Sequence, residues 1–303
     1  MNNVQQSTTQ TFLFILLLLL SISACSGGGD GDGVPPEPPP PPPPLLTQCE
    51  QTPITADQTC TLIDGRGFIS YVPTTSSEYA GIAIFLHGAP GDPNKVSSIF
   101  GAKAIADQFN LISITPQGNG SDYEWNSSNN SLAVTPDIDF LTNIIDYVQG
   151  SYTFTDSKAY IFGYSAGGFM AYKLACQIPD RLTAIISLAG QYRGDFENCA
   201  TATPMTIHHM HSQSDQDVPF NGRENGNIAS VTDTMEFWQQ KNGCGTEKTL
   251  LVQDGVTASS AKTDTEIYTS CVKSIGLSKL SLVSHEDEYI AEKLLATYEY
   301  LMN

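Results

Sequence analysis

The chain has 303 residues, 14 Lys plus Arg against 32 Asp plus Glu, and a formal net charge of -18. That balance excludes a nucleic-acid-binding face, which needs clustered Lys and Arg. With 40% apolar residues the chain can bury a sizeable core, and its single long apolar run excludes a polytopic membrane protein.

The first segment reads as an address. Phe12–Leu20 is too short for a comfortable membrane span and has the length of a signal-peptide core. Ile22-Ser23-Ala24-Cys25 follows, resembling the lipobox of bacterial lipoproteins, in which the Cys is lipidated after cleavage. Residues 1–24 are therefore expected to be a lipoprotein signal peptide and Cys25 the lipidation site. Residues 25–46 are expected to be a linker. Its Gly/Asp stretch gives slack, and residues 35–44, nearly all proline, make a stiff extended spacer of about 30 Å. The predicted location is the cell envelope, anchored by lipid at the outer membrane, or the exterior. The lipid is expected to be the only membrane contact.

Beyond Cys25 six cysteines remain: Cys49, Cys60, Cys176, Cys199, Cys244 and Cys271. An even number in an exported chain predicts three disulfides. Sequence order suggests the nearest-neighbour pairs 49–60, 176–199 and 244–271.

Residues 47–303 read as one domain of alternating elements. Strands are predicted at Phe68–Val72, Gly81–Leu86, Leu111–Ile114, Lys158–Phe162, Ala184–Leu188, Met205–Met210 and Leu280–Val283. Helices are predicted at Ser98–Phe109, Pro136–Val148, Ala166–Cys176, Thr232–Gln240 and Glu286–Leu301. Alternation of this kind predicts a three-layer α/β fold with a mostly parallel central sheet.

Gly163-Tyr164-Ser165-Ala166-Gly167 matches GxSxG, between an apolar strand and an apolar helix. Such an elbow exposes the serine hydroxyl above the sheet and aims the next N–H, that of Ala166, at a developing oxyanion. The expected chain order is Ser, acid, His. Of five histidines only His285 lies late enough, so it is the expected base. Asp215 and Asp217 both sit in the loop after the 205–210 strand and compete as the acid. The second oxyanion N–H is expected from Ala89, after the strand ending Leu86-His87-Gly88. His87 is expected to be a structural hydrogen bonder. His208, His209 and His211 read as strand histidines. No metal and no organic cofactor is expected.

Several blocks together resemble extracellular polyhydroxybutyrate depolymerase-like and feruloyl esterase-like enzymes. They are Tyr71-Val72-Pro73, IFLHG (84–88), Thr115-Pro116-Gln117-Gly118 and Trp125, the block 163–190, the HxHxxxD…VPF segment (209–220), and Trp238 with Asn242-Gly243-Cys244. The resemblance implies an α/β-hydrolase fold with Ser165, Asp215 and His285 as triad, selecting Asp215 over Asp217. It also implies the pairs Cys176–Cys199 and Cys244–Cys271, and a substrate site lined by Trp125 and Tyr164. Two departures stand out. His211-Ser212 replaces the usual His-Gly before the acid loop, and Val283-Ser284-His285-Glu286-Asp287-Glu288 replaces a Gly-rich, Trp-Pro-containing context around the base.

The expected function is a monomeric, lipid-anchored serine esterase acting on feruloyl- or acetyl-type carbohydrate esters or soluble oligoesters. The alternatives are a hydroxyalkanoate polyester or oligomer depolymerase, and a non-catalytic glycan-binding lipoprotein on a hydrolase scaffold. No polymer-adsorbing module follows the last expected helix, which favours soluble substrates.

Overall fold

The computed structural model describes residues 47–130, 135–199 and 203–302. The expected signal peptide, Cys25 and the linker through residue 46 lie outside the described residues. Residues 44–303 form one compact unit, and its described part holds the sheet, the cores and three disulfides, as an independently folding domain requires. No helix among the described residues is long and apolar enough to cross a membrane.

In chain order the elements are β1 (Gln48–Cys49), β2 (Thr52–Pro53), β3 (Gln58–Ile63), β4 (Arg66–Tyr71), β5 (Glu78–Leu86), α1 (Pro93–Phe100), α2 (Ala102–Phe109) and β6 (Leu111–Pro116). Then come α3 (Pro136–Ser151), β7 (Thr153–Tyr164), α4 (Ala166–Gln177), β8 (Ala184–Leu188), β9 (Thr206–Ser212) and α5 (Val231–Lys241). The last are β10 (Lys248–Asp254), β11 (Lys262–Tyr268), β12 (Ile275–Leu280) and α6 (Ala291–Tyr298). β1 and β2 form a small ribbon, and the other ten strands form one sheet in the order β10-β11-β12-β9-β8-β7-β5-β6-β4-β3. The six strands from β12 to β6 run parallel, and antiparallel pairs flank them on both sides.

The strands alternate their apolar side chains between two cores. On β5, Ile82, Ile84 and Leu86 face one core, while Ala83 and Phe85 face the other. The first core is closed by α3, α4 and α5, through residues such as Leu141, Tyr172 and Trp238. The second is closed by α1, α2 and α6, through Val96, Ile105 and Leu294. A period of two on strands buried on both faces produces the three layers.

Three expectations are corrected. The helix predicted across 98–109 is two helices, because Gly101 sits in the left-handed region (φ 65°) and ends α1, while Asp92 caps its start by accepting from Asn94 N (2.9 Å) and Lys95 N (3.1 Å). The last strand is Ile275–Leu280 rather than Leu280–Val283, sharing only Leu280, since Leu282 turns the chain at φ 53°. The last helix starts at Ala291 rather than Glu286, because Tyr289 bridges to Thr257 and Ile290 N donates to Val256 O (2.7 Å). The sequence pattern shows no strand at β1, β2, β3, β10 or β11. The disulfides are Cys49–Cys60, Cys176–Cys199 and Cys244–Cys271, the set that sequence order suggests.

β9 carries a chain of buried imidazoles. Tyr172 Oη lies 3.0 Å from His209 Nδ1, His209 Nε2 3.1 Å from His211 Nδ1, and His211 Nε2 2.8 Å from Val218 O. Because Val218 O can only accept, every proton in this chain points the same way, from Tyr172 toward Val218. His208 faces the opposite side, between Ser278 Oγ (2.9 Å) and Tyr300 Oη (3.1 Å).

Burial pushes the pKa of His208 down to about 3 and that of His87 to about 4, and holds His209 well below the ordinary imidazole range. An unfolded chain titrates its histidines near 6.5 and so takes up these protons first. Stability held above about pH 6.5 must therefore drain as pH falls toward 4. Residues 44–303 should lose several degrees of Tm between pH 7 and pH 5 in scanning calorimetry; a flat Tm over that interval would contradict the buried neutral histidines.

Candidate active site

The carboxyl ends of the parallel strands meet on one edge of the sheet, where open α/β folds place their ligands. β7 ends at Tyr164 and delivers Ser165, β9 ends at Ser212 before Asp215, and β12 ends at Leu280 before His285. β5 ends at Leu86 and leads into His87, Gly88 and Ala89.

Ser165 stands between β7 and α4 at φ 54°, ψ -116°, a conformation that costs a non-glycine residue roughly 1–3 kcal/mol. The surroundings hold it there. Ser165 N donates to Leu188 O (2.9 Å), and Ser165 O accepts from Gly168 N (2.9 Å) and Phe169 N (3.1 Å). A Cβ on Gly163 would lie 2.2 Å from Gly167 O, and one on Gly167 only 2.0 Å from Leu86 O. Glycine at both positions is thus demanded by backbone crowding.

Three side chains then form an unbroken line. Ser165 Oγ is 2.8 Å from His285 Nε2, and His285 Nδ1 is 2.7 Å from Asp215 Oδ2. All three are buried, with Ser165 9% exposed. Asp215 Oδ1 accepts from Asp217 N (3.0 Å) and Val218 N (2.8 Å), which fixes the carboxylate. Asp217 itself is exposed, so of the two competing acids Asp215 faces the imidazole. His211 Nε2 lies 3.5 Å from Asp215 Oδ2, putting a second imidazole on the same carboxylate. Burial opposes charge on Asp215, but the hydrogen bonds from His211, His285 and Val218 N–H outweigh it and hold the carboxyl well below its usual range.

The loop after β5 borders the serine. A Cβ on Gly88 would come within 3.3 Å of Ser165 Cβ. His87 is a structural hydrogen bonder: its Nε2 accepts from Gly118 N (3.0 Å) and its Nδ1 donates to Gly88 O (2.8 Å). Trp125, expected in the substrate site, is instead a support for this loop. It is 7% exposed, donates from Nε1 to His87 O (3.1 Å) and lies against the His87 ring. Tyr164 does border open space. It lines a cavity of about 330 Å³ together with Gly88, Ala89, Pro90, Lys95 and Glu286. Ala166 is the first residue of α4, directly after the serine, and Ala89 lines the same cavity as Tyr164.

The profile of the phospholipase/carboxylesterase family matches residues 69–232, more than half of the chain. The chain belongs to the phospholipase/carboxylesterase family. A bifunctional acetylxylan esterase/xylanase of Neocallimastix patriciarum is 25% identical over 151 residues, 50% of this chain and 22% of that protein. A poly(3-hydroxybutyrate) depolymerase of Ralstonia pickettii is 30% identical over 130 residues, 39% of this chain and 27% of that protein. The chain thus spans about a quarter of the length of these curated relatives. The acetyl xylan esterase structure from Aspergillus awamori shares the fold at TM-score 0.57 and 16% identity, covering 80% of this chain and 97% of that one.

Both sequence departures have structural counterparts in this member of the phospholipase/carboxylesterase family. Ser212, where a glycine was expected, accepts on Oγ from Ser214 N (3.1 Å) and from Val283 N (3.2 Å), tying the Asp215 loop to the His285 loop. Glu286, next to His285, is ion-paired with Lys95 of α1 and accepts from Tyr164 Oη (3.2 Å). The Lys95 hydrogen bond holds the Glu286 carboxyl below its usual range. Tyr164 Oη also lies 2.7 Å from His285 O, within donating reach. Neither role was visible in the sequence, because the partners Val283, Tyr164 and Lys95 lie 71 or more residues away.

Ser212→Ala leaves two N–H groups short of an acceptor, one of them on buried Val283. The expected cost is about 1–3 kcal/mol, a loss of several degrees in Tm. An unchanged melting temperature would show that the two loops do not depend on this side chain.

Proposed function

We propose that the chain is a carboxylic-ester hydrolase in which Ser165 is the nucleophile, His285 the general base and Asp215 the group that orients the base. The observation that carries this reading is the continuous hydrogen-bonded line from Ser165 Oγ through His285 to Asp215 Oδ2. Ser165 Oγ attacks the ester carbonyl while His285 Nε2 takes its proton. The oxyanion is received by the N–H groups of Ala166 and Ala89, the former at the positive end of α4. His285 returns the proton to the departing alcohol. Water, deprotonated by His285, then attacks the acyl-enzyme and releases the carboxylic acid. Asp215 stays ionised throughout, holding the imidazole tautomer and stabilising the imidazolium.

The cavity lined by Tyr164 and Gly88, neighbours of Ser165, supports a reading of the substrate class. Its volume of about 330 Å³ suits a short acyl group or one alcohol unit. Lys95, Asp92 and Glu286 give it a polar wall, which suits a hydroxyl-rich alcohol. We therefore favour acetyl- or feruloyl-type esters of carbohydrates, in line with the similarity to the acetylxylan esterase/xylanase. The 30% identity to the poly(3-hydroxybutyrate) depolymerase supports a second reading, soluble hydroxyalkanoate oligomers. The lipobox and proline spacer support tethering of the enzyme to the cell envelope through Cys25.

The test is turnover of residues 44–303 on p-nitrophenyl acetate, butyrate and octanoate, methyl ferulate and a hydroxybutyrate oligomer, beside Ser165→Ala. Wild-type turnover that falls by several orders of magnitude in Ser165→Ala is expected. The best substrate chooses between the two classes. A folded wild type with no turnover on any of them would favour the glycan-binding alternative.

A further inference from the structure

Among the described residues β10 is an edge of the ten-stranded sheet, paired with β11 alone, and its sequence is unusual for one. Leu250, Leu251 and Val252 are 70%, 41% and 72% exposed, three consecutive apolar side chains on a strand with one unpaired backbone edge. Natural edges are blunted by proline, bulges, inward charges or a covering element. β10 has no proline, and its seven residues pair with β11 without a register break. The opposite edge differs: Cys60 of β3 is bonded to Cys49 of β1.

We propose that β10 is a self-pairing edge, where a second copy of this chain adds its own β10 antiparallel and joins two sheets into one. The order of the residues along β10 favours this pairing. A two-fold axis perpendicular to a sheet keeps every residue on its own face, so the two copies can pair only in registers centred on a residue. Centring on Leu251 pairs the whole strand. Leu251 meets Leu251, Leu250 meets Val252, Thr249 meets Gln253 and Lys248 meets Asp254. Apolar residues meet apolar, polar meet polar, and the two ends meet with opposite charge, in both halves of the interface. Shifting the centre to Leu250 sets Lys248 against Val252, and shifting it to Val252 sets Asp254 against Leu250.

The end charges already hold partners within the chain. Lys248 pairs with Glu266 (2.7 Å), and Asp254 pairs with Lys293. All four are at least partly solvent-exposed. Pairing through Leu251 would extend these contacts into rows of alternating sign: Lys293, Asp254, then Lys248 and Glu266 of the second copy. Such charges favour the correct register and oppose others. The inference is independent of the catalytic reading, since no β10 residue belongs to the Ser165–His285–Asp215 line.

Sedimentation velocity of residues 44–303 over a dilution series tests it, with Leu251→Lys as the disrupting variant. The wild type should show a reversible doubling of mass. Leu251→Lys sets two ammonium groups against each other on the axis and should remain a monomer with an unchanged melting temperature. Register is read by cross-linking. Leu251→Cys should give a disulfide-linked dimer on mild oxidation. Leu250→Cys should not, because its counterpart lies diagonally about 7–8 Å away. This pair of variants decides the matter even if Leu251→Lys fails to fold. A wild type that is monomeric at every concentration would overturn the proposal. So would a dimer that keeps its mass in Leu251→Lys and gives no disulfide link in Leu251→Cys. A monomer that co-sediments with phosphatidylcholine vesicles, and loses this in Leu251→Lys, would assign the edge to lipid instead.

Discussion

Ser165 occupies a backbone conformation that L-residues avoid, φ 54° with ψ -116°, and the rest of the site depends on keeping it there. Strand β7 and helix α4 cross so closely at this point that side chains on Gly163 and Gly167 would collide with backbone atoms. What balances the strain is burial on both sides of the sheet. β7 lies between β8 and β5, and α4 is buried along nearly its whole length against the first core. The two hydrophobic cores thus hold the serine in place before any catalytic contact is made. With the elbow fixed, the hydroxyl stands where loops from β9 and β12 can reach it.

Those loops are held by polar contacts. Asp215 is fixed by two backbone N–H groups, by His285 and by its approach to His211, whose own ring is aligned by His209 and Tyr172. His285 is fixed from the other side by Tyr164 through its carbonyl, while Glu286 links Tyr164 to Lys95 on α1. Ser212 joins the two loops directly. Within a chain of net charge -18, two acidic groups at the site are matched by partners: Asp215 by the imidazoles and Glu286 by the Lys95 ammonium.

Much of this was legible in the sequence because it rests on local pattern. The elbow needs glycine at fixed spacing, the buried strands read as apolar runs, and β8 and α4 agree with expectation to within a residue. The three sequence-neighbour cysteine pairs also coincide with the disulfides present. What was not legible depends on distant partners or weak periodicity. The spacing of Ile99, Ala102, Ile105 and Phe109 reads straight through Gly101, although the backbone turns there. β11 buries Thr263 and Thr265 in place of large apolar residues, and β10 buries neither face, so neither shows the alternation that marks a strand. Trp125 looked like a pocket aromatic, yet its indole N–H is used to hold His87 O.

The central claim is that the Ser165 hydroxyl is activated by the His285 imidazole. It is tested most directly by reacting residues 44–303 with a fluorophosphonate and mapping the adduct by peptide mass spectrometry, in the wild type and in His285→Ala. The account predicts one adduct per chain, on the peptide containing Ser165, and a large fall in labelling rate when His285 is removed. An unlabelled folded protein, an adduct on another residue, or labelling of Ser165 that is indifferent to His285 would contradict it.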